Sequence, residues 1–188
     1  MNSLIESLSN MPVIAAIKEL DKLELALDSP CENIFLLSGN IFNLKELSQR
    51  VKMKNKGFYI LVDSIDGFSK DTWGLEYIIK NIELDGIITK KPNLVKQCKD
   101  MGIFTIQRIP IHNSEELNES LNSIKLFRPN MINICPGIMP KIIKRVYEKT
   151  KFPIIASGLI EDKKDIELAL ASGAFGISST KTNTWYMY

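Results

Sequence analysis

Two short stretches near the C-terminus gather small hydroxyl residues at the ends of apolar runs. Ser157-Gly158 follows PIIA, and Ser178-Ser179-Thr180 follows AFGI. Ser and Thr hydroxyls donate hydrogen bonds to anionic oxygens, and a glycine lets a backbone N–H approach such an oxygen closely. The pair of stretches therefore suits a phosphate cradle. The plainer reading is that small residues cap strands and open helices. Gly137, in Cys135-Pro136-Gly137, extends the candidate cradle. Lys18 and Arg108 are the cations placed to balance an anion. Lys18 also suits a rim residue whose stem lies along apolar surface. Arg108, beside Gln107, suits a forked contact to phosphate or carboxylate, or a pairing with a neighbouring acid. Asp63 suits either the hydroxyls of a polyol or the capping of a turn. Asp66-Gly67 reads as a turn dipeptide.

Other chemistries are excluded or unsupported. His112 is the only histidine, so a zinc site built on several histidines is ruled out, and no Cys pair has ligand spacing. Nothing resembling a nucleophile elbow accompanies His112. No cofactor is called for. Cys31, Cys98 and Cys135 are widely separated and odd in number, which reads as buried thiols in a reducing cytoplasm. Cys135, preceding Pro136-Gly137, is the one placed to be reactive.

The elements that must position these residues recur along the chain. Apolar runs at Val13–Ile17, Asn33–Leu37, Phe58–Val62, Gly86–Ile88, Ile103–Ile106, Met131–Ile134, Pro153–Ala156 and Ala174–Ile177 are each followed by a helix-like stretch. Strands so apolar, without clean alternation, fit a sheet covered on both faces. Asn43, Ser114 and Asp162 stand where helices should begin. Gly57, Gly102 and Gly173 stand where helices should end. The spacing predicts one domain over residues 1–188, an α/β single (β/α)8 barrel of TIM type with short loops. An open doubly wound sheet has similar content. In a barrel, ligand groups come from the C-terminal strand ends, and the last two loops commonly hold phosphate. Lys18, Asp63, Gln107, Arg108, Gly137, Ser157, Gly158 and Ser178–Thr180 all fall at such ends. The final KTNTWYMY reads as a short helix or tail.

The composition is globular and apolar enough for a sizeable core. No apolar run reaches about 18 residues, so no membrane span is expected. The opening MNSLIESLSNMP lacks a basic region followed by an apolar core and does not read as a secretory signal. With 24 basic and 22 acidic residues the net charge is +2, so any nucleic-acid contact must come from a local patch. One such group is Lys141, Lys144, Arg145 and Lys149, with Lys151. A second is Lys45, Arg50, Lys52, Lys54 and Lys56. Both equally suit solvated helix faces, and neither has aromatics interleaved.

Several stretches taken together resemble the glycerol uptake operon antiterminator family. They are PVIAAIK (12–18), SPCENIFLLSGNI (29–41), VDSIDGFSKDTWGL (62–75), DGIITKKPNL (85–94), GIFTIQR (102–108), CPGIMPKIIKR (135–145), PIIASGLI (153–160) and the final SST with Trp185. The resemblance implies a barrel similar to those that bind glycerol phosphates. It also implies a regulator that senses glycerol 3-phosphate and acts on the leader mRNA of glycerol-use genes to prevent early termination. It leaves open a homo-oligomer, an enzyme acting on a small phosphorylated metabolite, and a ligand sensor without RNA. The chain departs from the family pattern at Ser157, where a glycine is usual, and at Asn133, where an acid is usual. It also departs at Lys90, at the order of the final SST, and at the IPIH that follows TIQR.

Overall fold

The computed structural model describes residues 4–188; residues 1–3 of the expected domain span lie outside them. In chain order the strands are β1 (Val13–Ile17), β2 (Asn33–Leu36), β3 (Gly39–Asn40), β4 (Gly57–Leu61), β5 (Ile65–Asp66), β6 (Gly86–Thr89), β7 (Thr105–Pro110), β8 (Met131–Cys135), β9 (Ile154–Ser157) and β10 (Gly176–Ser179). The helices are α1 (Leu4–Asn10), α2 (Leu23–Asp28), α3 (Leu44–Met53), α4 (Thr72–Asn81), α5 (Pro92–Asp100), α6 (Ser114–Phe127), α7 (Pro140–Thr150) and α8 (Lys163–Ala171). Eight parallel strands close a barrel in the order β1-β10-β9-β8-β7-β6-β4-β2, and β3 pairs with β5 outside it. The closed barrel, not the open sheet, is the architecture.

Alternation along each strand divides the core in two. Ile14, Ala16, Phe35, Tyr59, Leu61, Ile88, Ile106, Met131 and Ile155 face one another inside the barrel. Ile17, Ile34, Ile60, Ile87, Ile132, Ile154 and Ile177 join the larger cluster between strands and helices. Both faces are buried, which is why the strands read as continuous apolar runs. The N-terminal end is closed by α1, whose Leu4 and Leu8 complete the interior cluster. Gly176 leaves room for this plug: a Cβ there would lie 2.9 Å from a Leu8 methyl.

Several expectations are corrected. The fifth strand is Thr105–Pro110 and not Ile103–Ile106. The turn at Gly102, with φ of +72°, delays strand entry, so Gln107 and Arg108 lie within β7. The cap of α6 is Asn113, whose side chain accepts the Glu116 N–H, and Ser114 is already helical. Asp162 caps α8 as expected, accepting the Asp165 N–H. Gly57 opens β4, and Asn55 takes the left-handed conformation before it. The C-terminal stretch forms the short helix expected of it, a 3-10 helix over Thr182–Tyr186. It is pinned by Trp185, fully buried, whose Nε1 donates to the Ser179 carbonyl at 2.8 Å.

Candidate functional site

At the C-terminal end of the barrel a cavity of about 310 Å³ is lined by Lys18, Arg108, Ser157, Gly158, Ser178, Ser179 and Thr180, with Ala16, Leu37, Leu159, Ile160, Glu161 and Lys181 closing its walls. Seven of the residues singled out in the sequence are thus brought together. Their positions follow from strand alternation. Ser157 and Ser178 are register partners on β9 and β10. Lys18 follows β1, and Arg108 rises from β7. In the strand order β1 and β7 stand four apart, so the two cations face each other across the mouth.

The loop after β9 has an uncommon backbone. Gly158 has φ of +78° and Leu159 has φ of +61°. A β-substituted residue in that region carries strain, and such strain gathers at ligand-binding loops. Leu159 and Thr180 donate no backbone hydrogen bond among the described residues. Their N–H groups are available to an anion, as in other loop-and-helix cradles. A Cβ on Gly158 would lie 2.8 Å from the Cys135 sulfur. The following helix, α8, begins at the Asp162 cap, so its N-terminus adjoins the cradle.

Arg108 is half-buried, and its Nη2 lies 3.5 Å from the Cys135 sulfur. It forms no ion pair among the described residues, and neither does Lys18. The pKa of Glu19, next to Lys18, is lowered mainly by its hydrogen bond with Lys22, and the Lys18 charge contributes. The cavity's carboxylate, Glu161, is exposed and lies 3.6 Å from Lys181. The positive charge facing the cavity is therefore not neutralised from within. Ser179 is engaged structurally: its hydroxyl donates to Ile160 O and accepts the Lys181 N–H, both at 3.2 Å.

Three of the sequence-selected residues stand differently. Gln107 points away from the mouth, because its register is opposite to that of Arg108; its Nε2 donates to Ser123 on α6 at 2.8 Å. Gly137 lies beneath the cradle, where a Cβ would meet the Ser157 nitrogen at 2.6 Å, and its N–H donates to Gly158 O. It lets β8 lie against the loop and does not line the cavity. Asp63 follows β4, four strands around from β9. Its Oδ2 accepts the Lys90 N–H at 2.7 Å, while its buried Oδ1 has no partner among the described residues.

Two departures from the family pattern touch one another. The Ser157 hydroxyl donates to Asn133 Oδ1 and to Ile134 O, with both side chains buried. No spacing in the sequence announces this contact, since the residues meet only through the parallel pairing of β8 and β9. Leu159's backbone likewise has no signal in its residue type.

On the outside of the barrel Lys141, Lys144, Arg145 and Lys149 are all exposed on α7. None forms an ion pair among the described residues. The second basic group differs. Arg50 pairs with Glu24 and Glu46, Lys52 with Asp85, and Lys54 with Asp28. Lys56 donates to the carbonyls of Ser29 and Cys31. Among the described residues no helix is long and apolar enough to cross a membrane, and no group of three or more His, Cys, Asp or Glu residues could hold a metal ion.

Comparison with known proteins gives a consistent result. A family model described as glycerol-3-phosphate responsive antiterminator matches residues 13–185. YgcP of Escherichia coli (strain K12), an uncharacterized protein, is 35% identical over 182 residues, covering 97% of this chain and 95% of its own. The crystal structure of the glycerol uptake operon antiterminator regulatory protein of Listeria monocytogenes str. 4b F2365 superimposes with a TM-score of 0.90. It is 26% identical, and the match covers 94% of this chain and 95% of that one. An antiterminator-related protein of Thermotoga maritima MSB8 superimposes with a TM-score of 0.83 at 24% identity, covering 92% and 96% of the two chains, which speaks for the fold.

Proposed function

Because this chain belongs to the glycerol-3-phosphate responsive antiterminator family, we propose that it binds glycerol 3-phosphate in the barrel mouth and, in response, the leader mRNA of glycerol-use genes. The observation that carries the ligand half is the layout of the mouth. Lys18 and Arg108, neither in an ion pair among the described residues, flank a cradle with free N–H groups, and across the barrel Asp63 holds a buried, unpartnered carboxylate oxygen. The cradle and cations suit the phosphate. Asp63 Oδ1 suits a hydroxyl of the glycerol, since a buried acceptor without a donor costs free energy until one arrives. The Asn133–Ser157 pair supports the floor of the same site.

The response is a population shift. A ligand that contacts β1, β4, β7, β9 and β10 at once favours the conformation in which those strand ends suit it best, and RNA affinity changes only if that conformation binds RNA differently. The basic face of α7 supplies phosphate contacts, because its charges are not neutralised by neighbouring acids. The whole chain acts as one domain, in the cytoplasm, where its three free thiols stay reduced. It needs no cofactor and turns over no substrate; self-association is compatible with all of this.

Calorimetric titration tests the ligand half. Glycerol 3-phosphate is expected to bind once per chain and to be recovered unchanged, with glycerol binding far more weakly for want of the phosphate. Absence of binding at millimolar glycerol 3-phosphate, or its conversion to product, contradicts this reading.

A further inference from the structure

We propose that Phe42 and Trp73, on the joined segments after β2 and β4, form a stacking site for unpaired bases of RNA; this rests on the RNA-binding reading above and adds base contacts to the phosphate contacts of α7. Phe42 is 93% exposed and Trp73 78% exposed. Scattered exposed apolar residues are ordinary, but these two stand on the segments that follow β2 and β4, neighbouring barrel strands, and ordered structure joins those segments.

That joint is the small β3–β5 sheet, in which Gly39 pairs with Ile65 and Asn40 with Asp66. The Ile41 N–H donates to Asp66 O at 2.9 Å. Gly67 packs so closely on Ile41 that a Cβ would lie 2.8 Å from its side chain. Phe42 is the next residue after Ile41. Its turn is locked by a reciprocal pair: Asn40 Oδ1 accepts the N–H groups of Phe42 and Asn43, and Asn43 Oδ1 accepts that of Asn40. On the other side Asp71 caps α4, accepting from Gly74 N–H and the Ser69 hydroxyl. Gly74 is pressed against Ser69 and Phe68, which fixes Trp73 beside it. Tyr77, one turn on and 45% exposed, shares the Trp73 face of α4.

The charge around the joint says what covers it. Lys45 lies in the first turn of α3, Lys70 precedes the α4 cap, and Lys90 and Lys91 follow β6, whose loop is tied to Asp63. None of the four is in an ion pair among the described residues. Asp71 is engaged as the cap, which leaves Asp66 as the nearby carboxylate without a side-chain partner. Lysine is depleted in protein–protein interfaces. Aromatic faces set among cations are the pattern of single-stranded nucleic-acid sites, where bases stack and phosphates meet the lysines. Phe42 and Trp73 stand 31 positions apart in the chain, so the platform exists only through the β3–β5 pairing. Asp63, the candidate hydroxyl acceptor, lies two residues before β5. Ligand and base would thus bear on one short segment.

The test uses the full chain and single-stranded leader RNA, with Phe42→Ala, Trp73→Ala and Trp73→Phe. RNA affinity is followed by anisotropy and self-association by sedimentation. Trp185 is fully buried, so quenching of tryptophan emission by RNA reports on Trp73. The expected result is that each alanine weakens RNA binding about tenfold, that Trp73→Phe restores most of it, and that RNA quenches the wild-type emission. Tight RNA binding by both alanine variants, with no quenching, overturns the platform and leaves the RNA-binding reading standing. Loss of self-association at unchanged RNA affinity overturns it in favour of an interface between copies. Failure of the wild type to bind RNA overturns the platform and the RNA-binding reading together.

Discussion

Gly158 has two reasons to be glycine, and they predict the same failure. Its φ of +78° disfavours any β-substituted residue, and a Cβ would press on the Cys135 sulfur at 2.8 Å. Gly158→Val is expected to weaken glycerol 3-phosphate binding at least about tenfold, with a loss of stability of about 1–2 kcal/mol from the left-handed backbone. Calorimetry and a denaturation curve measure the two separately; unchanged ligand affinity would remove Gly158 from the site. The thiols give a second residue-level expectation. Burial pushes Cys31 and Cys98 from 9.0 up to about 11. In the unfolded chain both would ionise near 9, so their contribution to stability is complete below pH 9 and is lost as the pH rises through about 11. At neutral pH a thiol reagent should label Cys135, half-buried at the mouth, before the other two. Early labelling of Cys31 or Cys98 in the folded protein would contradict their burial.

Among the elements, α7 and α3 carry similar basic sequences but different free charge. On α3 and the turn after it, Arg50, Lys52 and Lys54 are held by acids from neighbouring elements. On α7, Lys144 and Arg145 have none, so of the two helices α7 retains the larger cluster of free charge for an external polyanion. Lys144→Glu with Arg145→Glu is expected to weaken leader-RNA binding about tenfold or more at low salt and to flatten its salt dependence, because fewer counterions are released. Glycerol 3-phosphate affinity should not change. Unaltered RNA binding would make α7 a solvated face. The same elements show what a sequence can reveal. The apolar runs placed six of the eight barrel strands to within a residue at each end, and the eighth, Gly176–Ser179, two residues early, because burial on both faces leaves an unbroken hydrophobic signal. The fifth was displaced because Ile103 and Phe104 are as apolar as a strand yet precede it. That displacement hid the alternation which turns Arg108 inward and Gln107 towards α6. The α1 plug was missed because a helix of seven residues carries too little periodicity to register. The cradle residues were legible from type and strand end. Their partners across strands, such as Asn133 with Ser157, were not, because contact between parallel neighbours leaves no local spacing.

At the scale of the whole molecule, the barrel ties together surfaces that no single element joins. Strand ends from opposite sides, β1 and β7, meet with those of β9 and β10 around one small cavity, while the basic helix and the aromatic joint lie outside it. A ligand in the mouth reaches those surfaces only by favouring one arrangement of the strand ends over another. Such coupling is reciprocal, and typical values of about 1–3 kcal/mol correspond to shifts of about fivefold to 150-fold. The decisive measurement is the affinity of the full chain for leader RNA as glycerol 3-phosphate is raised from zero to saturation, with glycerol and inorganic phosphate as separate controls. Affinity is expected to tighten by about tenfold, saturating at the concentration where calorimetry shows the mouth to be filled, and to remain flat with glycerol. An RNA affinity indifferent to glycerol 3-phosphate while the mouth is demonstrably occupied would contradict a ligand-responsive regulator of RNA.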